Sequence, residues 1–182
     1  MISFISNIDM AVIQALYDVR NLAVSQNLIL VSELGRTISI YGLGFCIALL
    51  LLLRKRYVHI AGLAITLASS GVLILLAKGL IARERPPLFF RAYPEIWHSF
   101  PSAHATLITA LYLLLIYMVW TLVPSKPLRI VVSVVLLACV LLVSFSRIYL
   151  GVHYLSDVLA GMALGAFCAW LGYRWILFAK QS

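Results

Sequence analysis

A histidine and an aspartate stand four residues apart near the end of the sequence, in the stretch His153-Tyr-Leu-Ser-Asp157. Residues at this spacing lie on one face of a helix, so the Asp157 carboxylate can bond one imidazole nitrogen of His153 and fix its tautomer. The other ring nitrogen is then free to attack an electrophile. The spacing therefore indicates nucleophilic chemistry at His153.

Cationic side chains accompany this pair. Arg147 precedes His153 by six residues, and Lys78 and Arg85 stand in a separate polar stretch earlier in the chain. Dense positive charge of this kind stabilises a phosphoryl group during its transfer. His104 is a second imidazole, able to hand a proton to a leaving oxygen. Taken singly, such residues usually snorkel or cap helices, but their joint pattern favours phosphoryl transfer.

Three motifs carry these residues. In chain order they are Lys78-x6-Arg85-Pro86, then Pro101-Ser102-x-His104, then Ser146-Arg147-x5-His153-x3-Asp157. Together they resemble, in order and in spacing, the signature of the type 2 phosphatidic acid phosphatase superfamily. The resemblance covers residues 78–157 and implies a membrane-bound lipid phosphatase that works through a phosphohistidine.

The resemblance also implies a role for each motif residue. His153 is the expected nucleophile, Asp157 its orienting carboxylate and His104 the acid that protonates the leaving group. The expected phosphate-binding residues are Lys78, Arg85, Ser102, Ala103 and Arg147.

Ala103 departs from the family pattern, which usually has glycine at this place. Alanine resists the positive φ that glycine adopts freely. If the backbone amide of Ala103 binds phosphate from a right-handed helical turn, activity survives the change, whereas a turn that needs positive φ would impair it. We expect activity to be retained.

A metal site is the weaker alternative. His98 stands six residues before His104 and suggests zinc together with His153 and Asp157, but the sequence has neither an HExxH motif nor a cysteine pair. The chain has six acidic residues, and they do not cluster as a magnesium or two-metal site requires; they are Asp9, Asp18, Glu33, Glu84, Glu95 and Asp157. We therefore expect an enzyme with no metal and no cofactor.

The composition predicts a membrane protein. Of the 182 residues, 64% are hydrophobic and 11% are charged, against about 45–50% and about 25% in soluble domains. A soluble domain of this length cannot bury so much apolar surface, so part of it must face lipid. The formal net charge of +8 comes from Lys and Arg at the edges of apolar runs, which suits anionic lipid head groups and argues against nucleic acid as a partner.

A spanning helix needs about 20 mostly apolar residues. Five segments qualify, residues 37–53, 58–77, 104–123, 130–145 and 155–178. Residues 1–33 carry several polar side chains, so we expect an amphipathic helix at the membrane interface, with a sixth, irregular span as the alternative. Gly161 and Gly165 favour close helix packing, within the bundle or in a dimer. The predicted fold is an all-α transmembrane bundle over residues 34–180, within a single domain of residues 1–182.

The two polar loops that carry the motifs, residues 78–103 and 146–154, are separated by two predicted spans and therefore face the same side. Each side of the membrane carries seven Lys and Arg residues, but Lys78, Arg85 and Arg147 on the motif side are assigned to chemistry, which leaves four against seven. The positive-inside rule then places the C-terminus in the cytoplasm and the motif loops outside. Because the short chain resembles bacterial members of the family, the expected location is the bacterial inner membrane, with the active site facing the periplasm.

The sequence thus predicts an integral membrane enzyme that removes phosphate from a lipid phosphate or diphosphate. By the resemblance, the substrate classes are undecaprenyl diphosphate, phosphatidylglycerol phosphate, phosphatidic acid and lipid A phosphates. Two alternatives stay open. One is a phosphotransferase that passes phosphate from the same intermediate to another lipid, and the other is a non-catalytic lipid-binding or transport protein with a degenerate site.

Overall fold

Residues 2–181 fold into seven α-helices, which confirms the predicted all-α class. The computed structural model describes residues 2–181, with side chains from residue 4 onward. The helices are α1 (Ile2–Asp18), α2 (Leu22–Glu33), α3 (Thr37–Leu53), α4 (Tyr57–Ile81), α5 (Ala103–Leu122), α6 (Lys126–Tyr149) and α7 (Leu155–Ala179). The loop between α4 and α5 contains one 3-10 turn, Leu88–Phe90, and residues 2–181 include no strand.

Four helices, α4 to α7, are each long and apolar enough to cross a membrane. The next candidate, α3, passes this test only together with α2, to which it is joined at a bend of 42°. With this pair the count reaches five, the predicted number. The helix α3 has the predicted bounds, but its 17 residues extend only about 25 Å at 1.5 Å per residue, short of the ~30 Å hydrocarbon core. Counted as one span, α2 and α3 form a bent pair and not the one straight helix that the sequence predicted.

Two helices form within the segment predicted to be interfacial. After α1 ends at Asp18, the side chain of Asn21 caps α2 by accepting hydrogen bonds from two backbone N–H groups of its first turn. Leu28 of α2 packs against Tyr149 and Leu150 at the end of α6, and α1 also contacts α6 and α7. Both N-terminal helices are thus part of the packed structure at one end of the bundle.

The central helix is α5, the most buried of the four spanning helices, which packs against α3, α4, α6 and α7. Its neighbour α7 comes very close at two glycines. A Cβ at Gly161 would lie 2.8 Å from the backbone oxygen of Ser102, and one at Gly165 would lie 2.4 Å from that of Thr106. Close packing within the bundle, predicted for this glycine pair, is therefore confirmed.

The loop of residues 82–102, between α4 and α5, and the loop of residues 150–154, between α6 and α7, meet at one end of the bundle. The backbone N–H of Ala92 donates to the carbonyl of Leu150 at 2.9 Å, and the Arg85 guanidinium donates to the carbonyl of Val152 at 2.8 Å. The prediction that both motif loops face the same side is confirmed. This end of the bundle also receives α1 and α2.

Candidate active site

His153 lies in the short loop between α6 and α7. The chain turns there at Gly151, which has φ of 67° and where a Cβ would lie 2.1 Å from the backbone oxygen of Phe90, so only glycine fits. Because α7 begins only at Leu155, His153 and Asp157 do not share a helical face as their spacing predicted. The two side chains nevertheless lie together, with His153 Nδ1 3.6 Å from Asp157 Oδ2.

Asp157 is fully buried beside His153 and is bound on both carboxylate oxygens. Its Oδ1 accepts a hydrogen bond from Arg83 Nη1 at 2.6 Å. Its Oδ2 accepts from the backbone N–H of Tyr154 at 2.9 Å and from the hydroxyl of Ser99. The Ser99 Oγ also lies 3.3 Å from His153 Nδ1, so this hydroxyl bridges the ring and the carboxylate. The carboxylate therefore has a fixed orientation.

The opposite ring nitrogen of His153, Nε2, lies 3.2 Å from Nη1 of Arg85. Burial lowers the pKa of His153 to about 4; Asp157 opposes this shift, while the charges of Arg147 and Arg85 add to it. The ring is therefore neutral at pH 7. When its proton is on Nδ1, beside Ser99 and Asp157, Nε2 keeps the lone pair that a nucleophile needs.

Six of the eight predicted site residues line one small cavity of about 240 Å³, namely Lys78, Arg85, Ala103, His104, Arg147 and His153. The other two lie outside the cavity wall. Asp157 is bound to the loop that carries His153, and Ser102 is the N-cap of α5, where its Oγ accepts from the N–H of Ala105. The structure thus gathers the predicted residues at one place, with Ser102 in the role of a helix cap.

The three cations of the cavity are fixed by hydrogen bonds to the loops. Lys78, which is almost fully buried, donates to a backbone carbonyl of the α4–α5 loop. Arg85 Nε donates to the carbonyl of Trp97 at 2.5 Å, and its Nη1 donates to that of Val152 at 2.8 Å. Arg147, which is 1% exposed, donates from Nη1 to the hydroxyl of Tyr93 in the α4–α5 loop. These positive charges are therefore in place before any ligand binds, which is the arrangement that stabilises a transferring phosphoryl group.

Glu95, which the sequence analysis did not place in the site, lies between two of these cations. Its carboxylate is 2.7 Å from Arg147 Nη2 and 3.6 Å from Arg85 Nη2. Burial alone would raise the pKa of the Glu95 carboxyl, but the two guanidinium groups outweigh it and hold that pKa below its usual value. The Glu95 carboxylate thus lies between two guanidinium groups whose positive charge would also bind a phosphate. No motif or periodicity in the sequence marked this loop residue.

His104 stands in the first turn of α5 and lines a second, larger cavity as well. This cavity has a volume of about 1190 Å³ and shares Thr37, Glu95, Trp97 and His104 with the small one, while its remaining wall is formed mainly by α2 and α3. Within the described part of the chain, the ring of His104 makes no hydrogen bond. It is therefore free to serve a ligand that enters from the larger cavity.

Ala103 is the first residue of α5, and its φ is not positive. An alanine is therefore unstrained at this position, which is the right-handed arrangement under which we expected activity to be retained.

Two more residues near the site were not predicted to act there. Arg83 binds Asp157 and also, at 2.7 Å, Asp9 of α1. The sequence did contain a signal for Asp9, because it stands four residues from both Ile5 and Ile13 and so shares the apolar face of α1. A carboxylate on such a face needs a buried partner.

A set of ligands for zinc is not found. Residues 2–181 contain no group of three or more His, Cys, Asp or Glu side chains placed to hold a metal ion. His98, which suggested the zinc alternative, has an exposed side chain, whereas His153 is buried.

Comparison with known proteins gives a family match over most of the chain. The model of the PAP2 superfamily matches residues 59–181. A lipid A 1-phosphatase of Rhizobium johnstonii is 34% identical over 129 residues, which are 66% of this chain and 48% of the relative. A decaprenylphosphoryl-5-phosphoribose phosphatase of Mycobacterium tuberculosis is 37% identical over 116 residues, 62% of this chain and 58% of the relative. The chain thus spans about half the length of the curated relatives it matches.

A solved structure matches nearly the whole fold. It is the transmembrane PAP2-type phosphatidylglycerolphosphate phosphatase from Bacillus subtilis, with a TM-score of 0.86 and 25% sequence identity. The match covers 97% of this chain and 86% of that one, so it includes the N-terminal helices, which lie outside the region of the family match.

Proposed function

The chain belongs to the PAP2 superfamily, and on this basis we propose that it is a membrane enzyme that hydrolyses a lipid phosphate or diphosphate through a phosphohistidine intermediate. The observation that carries the proposal is the small cavity. In it the neutral imidazole of His153, with the Asp157 carboxylate beside its Nδ1, lies near three cations and the second imidazole of His104. Attack on phosphorus requires this combination of a nucleophile, positive charge around the phosphoryl oxygens and a proton donor.

In the proposed first step, Nε2 of His153 attacks phosphorus, and the bond between phosphorus and the lipid oxygen breaks. The electron pair stays on that oxygen, which takes a proton from His104. Lys78, Arg85 and Arg147 hold the phosphoryl oxygens. In the second step, water attacks the phosphohistidine and gives its proton to His104, and inorganic phosphate leaves as His153 is regenerated. The cycle balances without a metal ion.

The position of Glu95 implies an exchange on substrate binding. Its carboxylate and a substrate phosphate would compete for Arg147 and Arg85, and two anions so close together repel each other. We therefore propose that substrate phosphate takes the place of the Glu95 carboxylate on these guanidinium groups. Until the substrate binds, the ion pairs with Glu95 balance the positive charge of the buried guanidinium groups.

The larger cavity supports a lipid as the substrate. It reaches the small cavity at His104 and Glu95, and its wall includes apolar side chains of α2 and α3 such as Ile29 and Ile38. A lipid can place its phosphate at His153 while its apolar part remains beside these helices. The relatives named above act on lipid A, on a decaprenyl-linked phosphoribose and on phosphatidylglycerol phosphate. We propose a substrate of this bacterial envelope class, with undecaprenyl diphosphate and phosphatidic acid as further candidates.

The direct test is phosphate release by purified protein from a panel of lipid phosphates in the presence of EDTA. We expect release from at least one member of the panel, with most of the activity retained under the chelator, because the proposed steps use only His153, His104 and the cations of the cavity. Labelled phosphate that appears on a second lipid instead of in water would favour the phosphotransferase. Loss of activity under EDTA with recovery on one divalent ion would contradict the metal-free mechanism.

We also propose that the active site faces the outside of a bacterial inner membrane, with α1 along the same interface. A variant free of native cysteine (Cys46, Cys139 and Cys168) allows a test by single-cysteine labelling. We expect Ile96→Cys, in the α4–α5 loop, to react with an impermeant thiol reagent in cells whose outer membrane has been permeabilised. Lys126→Cys, at the start of α6, is expected to react only after lysis. Both side chains are exposed, so the reverse pattern would place the site in the cytoplasm.

A further inference from the structure

A second carboxylate stands behind the catalytic pair and is joined to it by one guanidinium group. Arg83 donates from Nη1 to Asp157 Oδ1 at 2.6 Å and from Nη2 to Asp9 Oδ2 at 2.7 Å. The guanidinium carbon Cζ of Arg83 also lies 4.2 Å from the centre of the Tyr154 ring, which places the cation over the face of that ring. The planar fork of arginine can hold two carboxylates in a fixed relation.

Asp9 is 1% exposed and lies on the inner face of the N-terminal helix α1. Besides Arg83 it binds Ser156, whose backbone N–H donates to Oδ1 at 2.9 Å and whose hydroxyl donates to Oδ2 at 2.5 Å. A carboxylate this deeply buried is costly unless it is paired and hydrogen-bonded. Asp9 thus attaches α1 to the first turn of α7, within one residue of Asp157.

The arrangement affects how Asp157 meets His153. Arg83 occupies Oδ1 of Asp157, so only Oδ2 is left to face Ser99 and the imidazole. The two carboxylates and one guanidinium carry a net charge of −1, so Arg83 does not fully cancel the negative charge beside His153. Without Asp9, Arg83 would lose the anchor on its Nη2, and its side chain is one-quarter exposed, with room to move.

We propose that Asp9 is a positioning residue of the active site: it fixes Arg83, which fixes the rotation of Asp157 and through it the attacking imidazole of His153. This inference rests on the proposed function. It makes α1, which lies outside the residues 59–181 of the family match, a part of the catalytic unit. The alternative is that Asp9 only anchors α1 to the bundle.

The test compares Asp9→Asn with two control variants on α1. The amide of Asp9→Asn keeps an oxygen for the Ser156 N–H but loses the charge that pairs with Arg83. Asp18→Asn makes the same change on the exposed side of the helix, where Asp18 accepts a hydrogen bond from Gln14. Ile13→Ala weakens the packing of α1 at a residue that is 1% exposed and leaves the charged network intact.

We expect Asp9→Asn to lower kcat about 10- to 100-fold, the range that a small misplacement of a reacting group causes, with KM changed less than twofold. Asp18→Asn and Ile13→Ala should keep kcat within about twofold of the wild type. Arg83→Lys should lower kcat in the same way, and the double variant should be no worse than the poorer single variant, because both changes break one link.

Wild-type kcat in Asp9→Asn would overturn the proposal. So would an equal loss in Ile13→Ala, since that loss would come from the docking of α1 alone. Thermal unfolding in detergent, measured for every variant, separates a folded but slow enzyme from an unfolded one. Absence of turnover by the wild type on every lipid phosphate is a different result, because it would overturn the proposed function itself.

Discussion

Replacing His153 by Ala or Gln is expected to lower phosphate release by about 10⁴-fold or more, the scale seen when a covalent nucleophile is removed. His153 is buried, and burial keeps the pKa of its ring at about 4, so the neutral form is present at all pH values above about 5. Nε2 lies beside Arg85 in the cavity, where a phosphoryl group can reach it. Neither replacement supplies a nucleophile of comparable strength.

The matched control for this variant is His98→Gln, which removes an imidazole from the same end of the bundle but from an exposed position. We expect it to retain near wild-type turnover, because His98 contributes its backbone carbonyl, and not its ring, to the site. Rapid quenching of the wild type with labelled substrate should trap an acid-labile, base-stable phosphoryl adduct. Substantial turnover by the His153 variants would contradict the mechanism.

The predicted spans were shorter than the helices where a charged residue was taken as a boundary. The prediction ended one span at residue 77, before Lys78, and another at residue 145, before Arg147, whereas the helices continue to Ile81 and Tyr149. Both charges lie inside helices because they face the buried site, where carbonyl, hydroxyl and carboxylate groups bind them. A charge that serves a site does not mark the edge of the membrane.

The bend between α2 and α3 was not predictable from local pattern. It occurs around Gly35, where a Cβ would lie 2.6 Å from Cγ1 of Val143 and 3.3 Å from Cβ of His104. The sequence around this glycine does not reveal that α5 and α6 approach it, since both come from residues about 70 to 110 positions later. The tertiary contact, more than the propensity of the segment, sets the position of the bend between α2 and α3.

In the candidate site too, some residues were predictable from the sequence and others were not. The residues of the three motifs were predicted because their types and spacing are specific, and six of them line one cavity. Glu95 and Ser99 belong to the α4–α5 loop, whose path no periodicity describes, so their places beside Arg147 and Asp157 could not be inferred. Asp9 was predictable in part, as a carboxylate on an apolar helix face, but its partner Arg83 was not.

The second large effect is expected at His104, and it depends on the leaving group. If His104 is the proposed acid, it matters most when the departing oxygen is strongly basic and needs a proton in the transition state. An alkyl phosphate should therefore lose about 10²- to 10⁴-fold in kcat/KM on His104→Ala, the usual contribution of general acid catalysis. An aryl phosphate with an acidic phenol should lose far less. A lipid diphosphate should fall between these limits, because its leaving phosphate is less basic than an alkoxide.

The informative quantity is the ratio of the loss in kcat/KM for the alkyl phosphate to the loss for the aryl phosphate. Misfolding or weaker phosphate binding would reduce kcat/KM for both substrates alike. His104 lies at the junction of the small and large cavities and makes no hydrogen bond to the residues that the structure describes, which is where a donor to the lipid oxygen has to stand. His153→Ala provides the contrast, since the nucleophile is needed whatever group departs and its loss should be severe for both substrates. Equal losses on His104→Ala would show that this ring positions phosphate and is not the acid.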